Sequence, residues 1–237
     1  MSDFTKHNID EYLKKLAKRF RKLNGSKIPA EIILVGGASV LINYGFREKS
    51  NDIDAIIQAS SAMKDAINQI RDEENLPQDW INSDFTRTSS YSPSLRIYSK
   101  HYRTFSNIVE IRTVSGEYLI AMKLMSGRKY KNDLSDVIGI LKEESDSGNT
   151  ISMEQIRDAV KNLYGSYDTL PADSKAFIEK LMERLENEEA DIYTEFVEQE
   201  KSNKASLVEF ESEYPDVLNE DNISDILSII EQRKKQT

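Results

Sequence analysis

The chain has 237 residues, of which 38% are hydrophobic, and its 32 basic and 41 acidic side chains give a net charge of −9 at pH 7. This is enough apolar material for one or two globular domains. Because the chain contains no cysteine, disulfide bonds, thiolate zinc sites and cysteine nucleophiles are excluded. We expect a cytoplasmic protein without a membrane partner, since we find no secretion signal and the longest apolar stretch, residues 32–42, is too short to span a bilayer.

The charge is divided unevenly along the chain. Residues 1–142 carry 22 basic and 17 acidic side chains, whereas residues 143–237 carry 10 and 24. A positive first part suits a nucleotide or RNA ligand, although two ordinary solvated domains would show the same distribution. The polar stretch 143–151 marks a boundary, so we predict one domain over 1–142 and a second over 151–237.

The first predicted element is an amphipathic helix over residues 8–23, with Asn8 as its N-cap. Its polar face is basic and suits RNA phosphates, but simple solvation of a charged face is the more common explanation. Further helices are predicted at 60–71, 152–163, 173–200, 207–213 and 223–233. Strands are predicted at 31–35, 53–57, 84–88, 95–102 and 108–114. The expected fold class is α/β of the α+β type: a mixed sheet flanked by helices, followed by an all-helical C-terminal region.

Two aspartates follow a glycine turn. Gly36 and Gly37 let the backbone turn between the first strand and a helix, and the N-terminus of such a helix attracts anions. Asp52 and Asp54 lie on one face of the next strand, because side chains alternate along a strand. Two like charges so close together favour a bound cation such as Mg²⁺. The pattern predicts a divalent-metal site that faces a phosphate-binding turn.

Two more charged side chains lie in apolar surroundings. Glu110 stands between apolar residues of a predicted strand, where it either forms a salt bridge with Arg112 or serves as a metal ligand or general base. Lys123 is surrounded by the apolar residues of a predicted helix over 117–126. It meets either an anion, such as a triphosphate, or a nearby carboxylate. Asp133 follows at the start of the next helix and complements the dipole of that helix.

Taken in this order, these segments resemble the nucleotidyltransferase superfamily related to DNA polymerase beta. Within it they resemble the prokaryotic branch of AbiEii-like and MenT-like toxins. The resemblance covers roughly residues 28–142. The segments that carry it are residues 34–39, 52–55, and 117–128 with 133–137.

The resemblance implies a role for each of these residues. Gly36, Gly37 and Ser39 would hold the triphosphate of a nucleoside triphosphate (NTP), and Lys123 and Arg128 would contact its phosphates or the transition state. The implied ligands of Mg²⁺ or Mn²⁺ are Asp52, Asp54 and Glu110. The implied catalytic residues are Asp52, Asp54, Glu110, Lys123 and Asp133.

The reaction implied by the resemblance is attack by a hydroxyl on the α-phosphorus of the NTP. We expect the acceptor to be tRNA or another macromolecule, and the protein to act as a toxin that an antitoxin protein restrains. One alternative is transfer to a small hydroxylated molecule, as in the aminoglycoside nucleotidyltransferases. The other is a catalytically inactive nucleotide-binding module, in which Glu110 would point away from Asp52 and Asp54.

Overall fold

The computed structural model describes residues 3–25, 28–187, 191–219 and 222–234. By its internal packing the chain forms two compact units, one of Met1–Met122 with Ile140–Thr169 and one of Lys123–Gly139 with Leu170–Thr237. The domains at 1–142 and 151–237 stay a prediction, because packing alone does not show which segments fold independently.

A five-stranded mixed sheet lies in the first unit. Its strands are β1 (Ala30–Leu34), β2 (Ile53–Gln58), β3 (Ile81–Asn82), β4 (Ser99–Phe105) and β5 (Val109–Val114). They are arranged in the order β3-β2-β1-β5-β4. Strand β1 is antiparallel to β2 and parallel to β5, while β3 is parallel to β2 and β4 is antiparallel to β5. The predicted mixed sheet is confirmed.

Helices account for most of the remaining described chain. They are α1 (Lys6–Asn24), α2 (Gly36–Asn43), α3 (Ala62–Glu74), α4 (Leu95–Tyr98), α5 (Gly116–Ser126), α6 (Asp133–Asp146), α7 (Met153–Tyr164), α8 (Ala172–Glu186), α9 (Ile192–Glu213) and α10 (Ile223–Lys234). The second unit contains α8, α9 and α10, together with the end of α5 and the start of α6. The expected helical C-terminal region is therefore present.

The core of the first unit lies on the sheet face that α1 and α3 cover. Ile32 and Leu34 of β1 are fully buried there, as is Trp80, whose ring packs against Phe4 and Tyr12. Because side chains alternate along β1 and β2, the other residues of these strands face the opposite side of the sheet. That opposite face carries Asp54.

Helix α1 begins two residues earlier than its predicted cap, so the prediction of Asn8 as the N-cap is wrong. Thr5 is the N-cap, and its hydroxyl accepts a hydrogen bond from the Asn8 backbone N–H. The Asn8 side chain in turn accepts one from the Thr5 N–H at 2.7 Å. Both residues are good caps, and only these reciprocal bonds show which of them begins the helix.

Part of the basic face of α1 pairs with α3. Lys15 lies 2.8 Å from Glu74, and Arg19 forms an ion pair with Glu73. These contacts account for two of the basic side chains without an RNA ligand.

Two of the predicted strands are wrong in whole or in part. Residues 84–88 form a 3₁₀ turn over Asp84–Arg87. The segment 95–102 begins as the single helical turn α4 and becomes β4 only at Ser99. The turn-forming Ser92, Pro93 and Ser94 precede α4, and the Ser92 hydroxyl accepts a hydrogen bond from the Ser94 N–H at 3.3 Å.

The helices of the second unit also divide differently from the prediction. The predicted helix 173–200 is interrupted, because α8 ends at Glu186 and Asp191 has a left-handed φ of 59° before α9. The predicted break near Asn203 lies inside α9. Asn203 is buried and donates a hydrogen bond to the Lys129 carbonyl oxygen at 2.9 Å, so its polar side chain serves a tertiary contact and does not end the helix.

Candidate active site

The turn between β1 and α2 brings a carboxylate against a glycine. Gly36 has φ +53°, in the left-handed region that glycine adopts most easily. A Cβ atom on Gly36 would lie 3.2 Å from Oδ2 of Asp54. The Val35 N–H also donates to the Asp54 carbonyl oxygen at 3.0 Å. The structure therefore places the Asp54 side chain beside the glycine turn.

Asp52 lies just before β2 and is exposed, whereas Asp54 is half-buried. Because Asp52 precedes the strand, strand alternation fixes the direction of Asp54 alone, and the convergence of the two carboxylates stays a prediction. Across the described ranges, no three histidine, aspartate or glutamate side chains converge into a group that could hold a metal ion. Asp52 and Asp54 would hold a Mg²⁺ ion at this position, and the ion would neutralise charge on the phosphates of a bound nucleotide.

Two residues of the loop before Asp52 lie against the start of α2. A Cβ atom on Gly37 would lie 2.8 Å from Ser50 Oγ and 2.9 Å from Nη2 of Arg47. The loop is anchored by Phe4, which exchanges two backbone hydrogen bonds of 2.8 Å with Ser50. A guanidinium, a hydroxyl and the first N–H groups of a helix together suit an anion such as phosphate.

Ser39, predicted to contact the triphosphate, is fully buried. Its hydroxyl accepts a hydrogen bond from the Val114 N–H at 3.1 Å and so joins α2 to β5. The N-cap residue of α2 is Val35, which offers no side-chain cap. The first turn of α2 is therefore left to bind an anion through its backbone.

Glu110 lies on the same face of the sheet as Asp54 but at a different level. Glu110 of β5 is paired with Glu31 of β1. Glu31 lies four positions before Val35, whose backbone N–H bonds the Asp54 carbonyl oxygen. Four strand residues span about 13 Å. Glu110 also forms a salt bridge with Arg112 at 2.7 Å. The structure thus shows the salt bridge that the sequence left open as one explanation of this carboxylate.

In the second unit, Lys123 lies at the centre of a buried ion-pair network. Its Nζ donates to Oδ1 of Asp133 at 2.9 Å and lies 2.8 Å from Oδ2 of Asp136. The Arg128 guanidinium also binds Asp133, with Nε donating to Oδ2 at 2.8 Å. The network carries two positive and two negative charges; Lys123, Asp133 and Asp136 are buried, whereas the Arg128 side chain is 36% exposed. We call these residues, Lys123, Arg128, Asp133 and Asp136, the lysine network.

Asp133 is the most deeply buried member of the lysine network, with none of its surface exposed. Burial alone would raise the pKa of Asp133, but the positive charges of Lys123 and Arg128 outweigh burial and hold this pKa well below its usual range. Asp133 is therefore ionised at neutral pH. It orients both cations and is not suited to hold a proton.

The start of α6, which carries Asp133 and Asp136, is held by a carboxylate from α9. Glu200 accepts hydrogen bonds from the Leu134 N–H at 2.9 Å and from the Ser135 N–H at 3.4 Å, and it also bonds the Ser135 hydroxyl. Burial raises the pKa of Glu200 to about 7, against the opposing effect of these hydrogen bonds.

A family comparison adds to this geometry. Residues 11–174 match the family described as nucleotidyltransferase of unknown function (DUF6036). The chain belongs to this nucleotidyltransferase family. The match includes the glycine turn, the aspartate pair and the lysine network, and it ends before α9. No curated protein and no solved structure shows a significant match to the chain, so the AbiEii-like and MenT-like branch stays a prediction.

None of the helices in the described part of the chain has the length and hydrophobicity that a bilayer-spanning segment requires.

Sequence patterns alone missed three residues around these sites. Arg47 and Ser50 lie in an irregular loop, and their only sequence signal is a position shortly before Asp52. Glu200 is separated from Ser135 by 65 residues, and its carboxylate is one of many on the acidic C-terminal helices. Periodicity identifies which face of a helix is apolar but does not identify a polar contact between distant helices.

Proposed function

We propose that this nucleotidyltransferase transfers a nucleoside monophosphate from an NTP to a hydroxyl acceptor, using Mg²⁺ or Mn²⁺ held by Asp52 and Asp54. The observation that carries the proposal is the position of the Asp54 carboxylate beside Gly36, at the start of a helix that Arg47 and Ser50 also approach. Carboxylates and anion-binding groups are needed side by side when a metal ion bridges the protein and a phosphate.

The proposed reaction is an in-line displacement. The acceptor oxygen forms a bond to the α-phosphorus, the bond between this phosphorus and the bridging oxygen breaks, and pyrophosphate leaves with its electron pair. The acceptor hydroxyl loses its proton to a base or to water. When bound, the metal neutralises charge on the phosphate oxygens. Arg47 and the backbone of the glycine turn bind and orient the triphosphate.

For the acceptor, we propose RNA, with tRNA as the first candidate and an antitoxin protein as a possible regulator of a toxic activity. The support is electrostatic. Lys14, Lys18 and Lys22 are exposed at successive turns of α1, and lysines in such a row can neutralise neighbouring phosphates. Transfer to a small hydroxylated molecule is the alternative acceptor class.

A second candidate function is nucleotide binding without transfer. It is favoured by Glu110, which is paired with Arg112 and lies about 13 Å along the sheet from the level of Asp54. If Glu110 is the third carboxylate, as the resemblance implies, it must move before it can serve as a metal ligand or base. An inactive module would bind NTP and metal but would release no pyrophosphate.

Titration calorimetry of each NTP, with and without Mg²⁺, tests the site. We expect metal-dependent binding to the wild type and its loss in the double variant Asp52→Asn with Asp54→Asn. The matched control is Asp65→Asn, which removes an exposed carboxylate of α3, the helix that covers the sheet face opposite Asp54. Binding that is unchanged in the double variant would refute the metal site.

Isotope labelling then separates the two candidate functions. An NTP labelled at the α-phosphorus is incubated with total RNA, with protein and with small-molecule extracts, and a γ-labelled NTP serves as the control. An enzyme transfers the α-label and releases the γ-label as pyrophosphate. Binding without either event would support the inactive module. Incorporation into RNA, protein or small molecules identifies the acceptor class.

A further inference from the structure

Helix α9 contacts the backbone segments that carry the lysine network through two buried polar side chains one turn apart. Glu200 and Asn203 are 4% and 6% exposed. Glu200 bonds the backbone at the start of α6, and Asn203 bonds the carbonyl oxygen of Lys129 in the loop before it. The geometry points to α9 as a positioning element that sets the arrangement of the lysine network through Glu200 and Asn203.

The first step concerns where Glu200 binds. Its partners Leu134 and Ser135 lie between Asp133 and Asp136 in the first turn of α6. The N–H groups of a first helical turn have no partner within their own helix. Glu200 supplies that partner from another helix, so the position of α9 fixes the backbone that carries both network carboxylates.

Asn203 holds the other side of the network. Lys129 follows Arg128, whose guanidinium bonds Asp133. By binding the Lys129 carbonyl oxygen at 2.9 Å, Asn203 restrains the loop that aims Arg128. One turn of α9 therefore restrains both a cation-bearing segment and a carboxylate-bearing segment of the network.

Burial alone does not explain these two polar side chains, because burial favours apolar residues at both positions. Removing a carboxylate or amide from water costs free energy that its hydrogen bonds only offset. The family match ends at residue 174, before α9 begins. The matched region thus contains the lysine network but not the residues that hold it in place.

The link from positioning to catalysis rests on the proposed function and on the role that the resemblance implies for Lys123 and Arg128, which is contact with the phosphates of the NTP. Two readouts keep the inference separate from that function. The first is the rate at which formaldehyde and borohydride dimethylate Lys123 in the folded protein, followed by mass spectrometry. Lys123 is 8% exposed and donates to Asp133, so its modification rate reports the integrity of the network without any activity. The second is kcat and KM for nucleotidyl transfer.

Three variants are compared with the wild type. Glu200→Ala removes the acceptor for the α6 backbone, whereas Glu200→Gln retains one oxygen that can accept the same bonds. Ser206→Ala is the matched control, because Ser206 is a buried polar residue of α9 whose hydroxyl bonds to Ser202 and Lys234, outside the network.

We expect Glu200→Ala to speed Lys123 modification at least tenfold and to lower kcat at least tenfold with little change in KM. Glu200→Gln should stay within threefold of the wild type in both readouts. Ser206→Ala should match the wild type in both readouts, even if its Tm falls as far as that of Glu200→Ala. Equal effects of Glu200→Ala and Ser206→Ala, or no effect of Glu200→Ala in a folded protein, would overturn the inference. A wild type without transfer activity would refute the proposed function while Lys123 modification still decides the positioning role.

Discussion

Replacing Gly36 by alanine gives a direct test of the aspartate site. Gly36 has φ +53°, and an alanine in the left-handed region costs about 1–2 kcal/mol of the free energy of unfolding. The new Cβ atom would also lie 3.2 Å from Asp54 Oδ2, closer than an ordinary contact. The Asp54 carboxylate must therefore shift by roughly a few tenths of an ångström.

The shift matters because Mg²⁺ requires its oxygen ligands roughly 2.0–2.1 Å from the ion, in octahedral geometry. We expect Gly36→Ala to weaken Mg²⁺-dependent NTP binding by about tenfold or more, which corresponds to about 1.4 kcal/mol. Calorimetry measures the affinity, and urea denaturation measures the free energy of unfolding.

Gly148→Ala is the matched control for backbone strain. Gly148 has φ +79°, and a Cβ atom there would meet nothing within 4 Å. The Gly148→Ala variant should therefore lose about as much free energy of unfolding as Gly36→Ala while keeping its affinity for NTP. If Gly36→Ala binds NTP and Mg²⁺ like the wild type, Asp54 does not hold the metal beside this turn. If Gly148→Ala loses affinity equally, the effect is general destabilisation.

Three further predictions concern charged residues. Asp133→Asn should lower the free energy of unfolding by about 3–5 kcal/mol in urea denaturation, because it removes one charge from a buried ion network. The control Asp173→Asn, which breaks the exposed pair with Lys129, should cost at most about 1 kcal/mol. Equal costs for the two variants would contradict the network. The pKa of Glu200 is raised from 4.5 to about 7, so the unfolded state releases this proton before the folded state does as the pH rises. The free energy of unfolding of the wild type should therefore fall relative to that of Glu200→Gln between pH 5 and 7 and stay level above pH 7. A difference in stability between the two proteins that does not change with pH would refute the raised pKa. Arg47→Ala should weaken triphosphate binding by about tenfold with or without Mg²⁺. The control Arg87→Ala, at an exposed arginine, should leave this affinity unchanged. If calorimetry finds no difference between the two variants, Arg47 does not belong to the site.

Local chemistry was enough to predict the framework of the site. The apolar run of β1, the glycines after it and the alternation around Asp52 and Asp54 are all short-range patterns, and the turn they predict is present. The apolar helix around Lys123 likewise predicted that this lysine needs an anionic partner. In each case, the physical cause acts over a few residues, so the sequence carries it openly.

Strand register and helix contacts were decided only by the tertiary structure. Glu110 lies in its predicted strand, but its distance from Asp54 depends on how β5 pairs with β1. The pairing of Lys123 with Asp133 and Asp136 depends on how the start of α6 packs against the end of α5.

The same distinction explains the wrong helix boundaries and the missed residues. Asn203 belongs to a polar stretch that resembles a break, yet it is held inside α9 by its bond to Lys129. Glu200 is one acidic residue among many until α9 packs against the start of α6. By itself, the sequence determined most of the elements, the glycine turn and the candidate charged residues, because these follow from neighbours along the chain. Only the tertiary structure decided which charges meet, because hydrogen bonds and ion pairs depend on atoms that are close in space and distant in sequence.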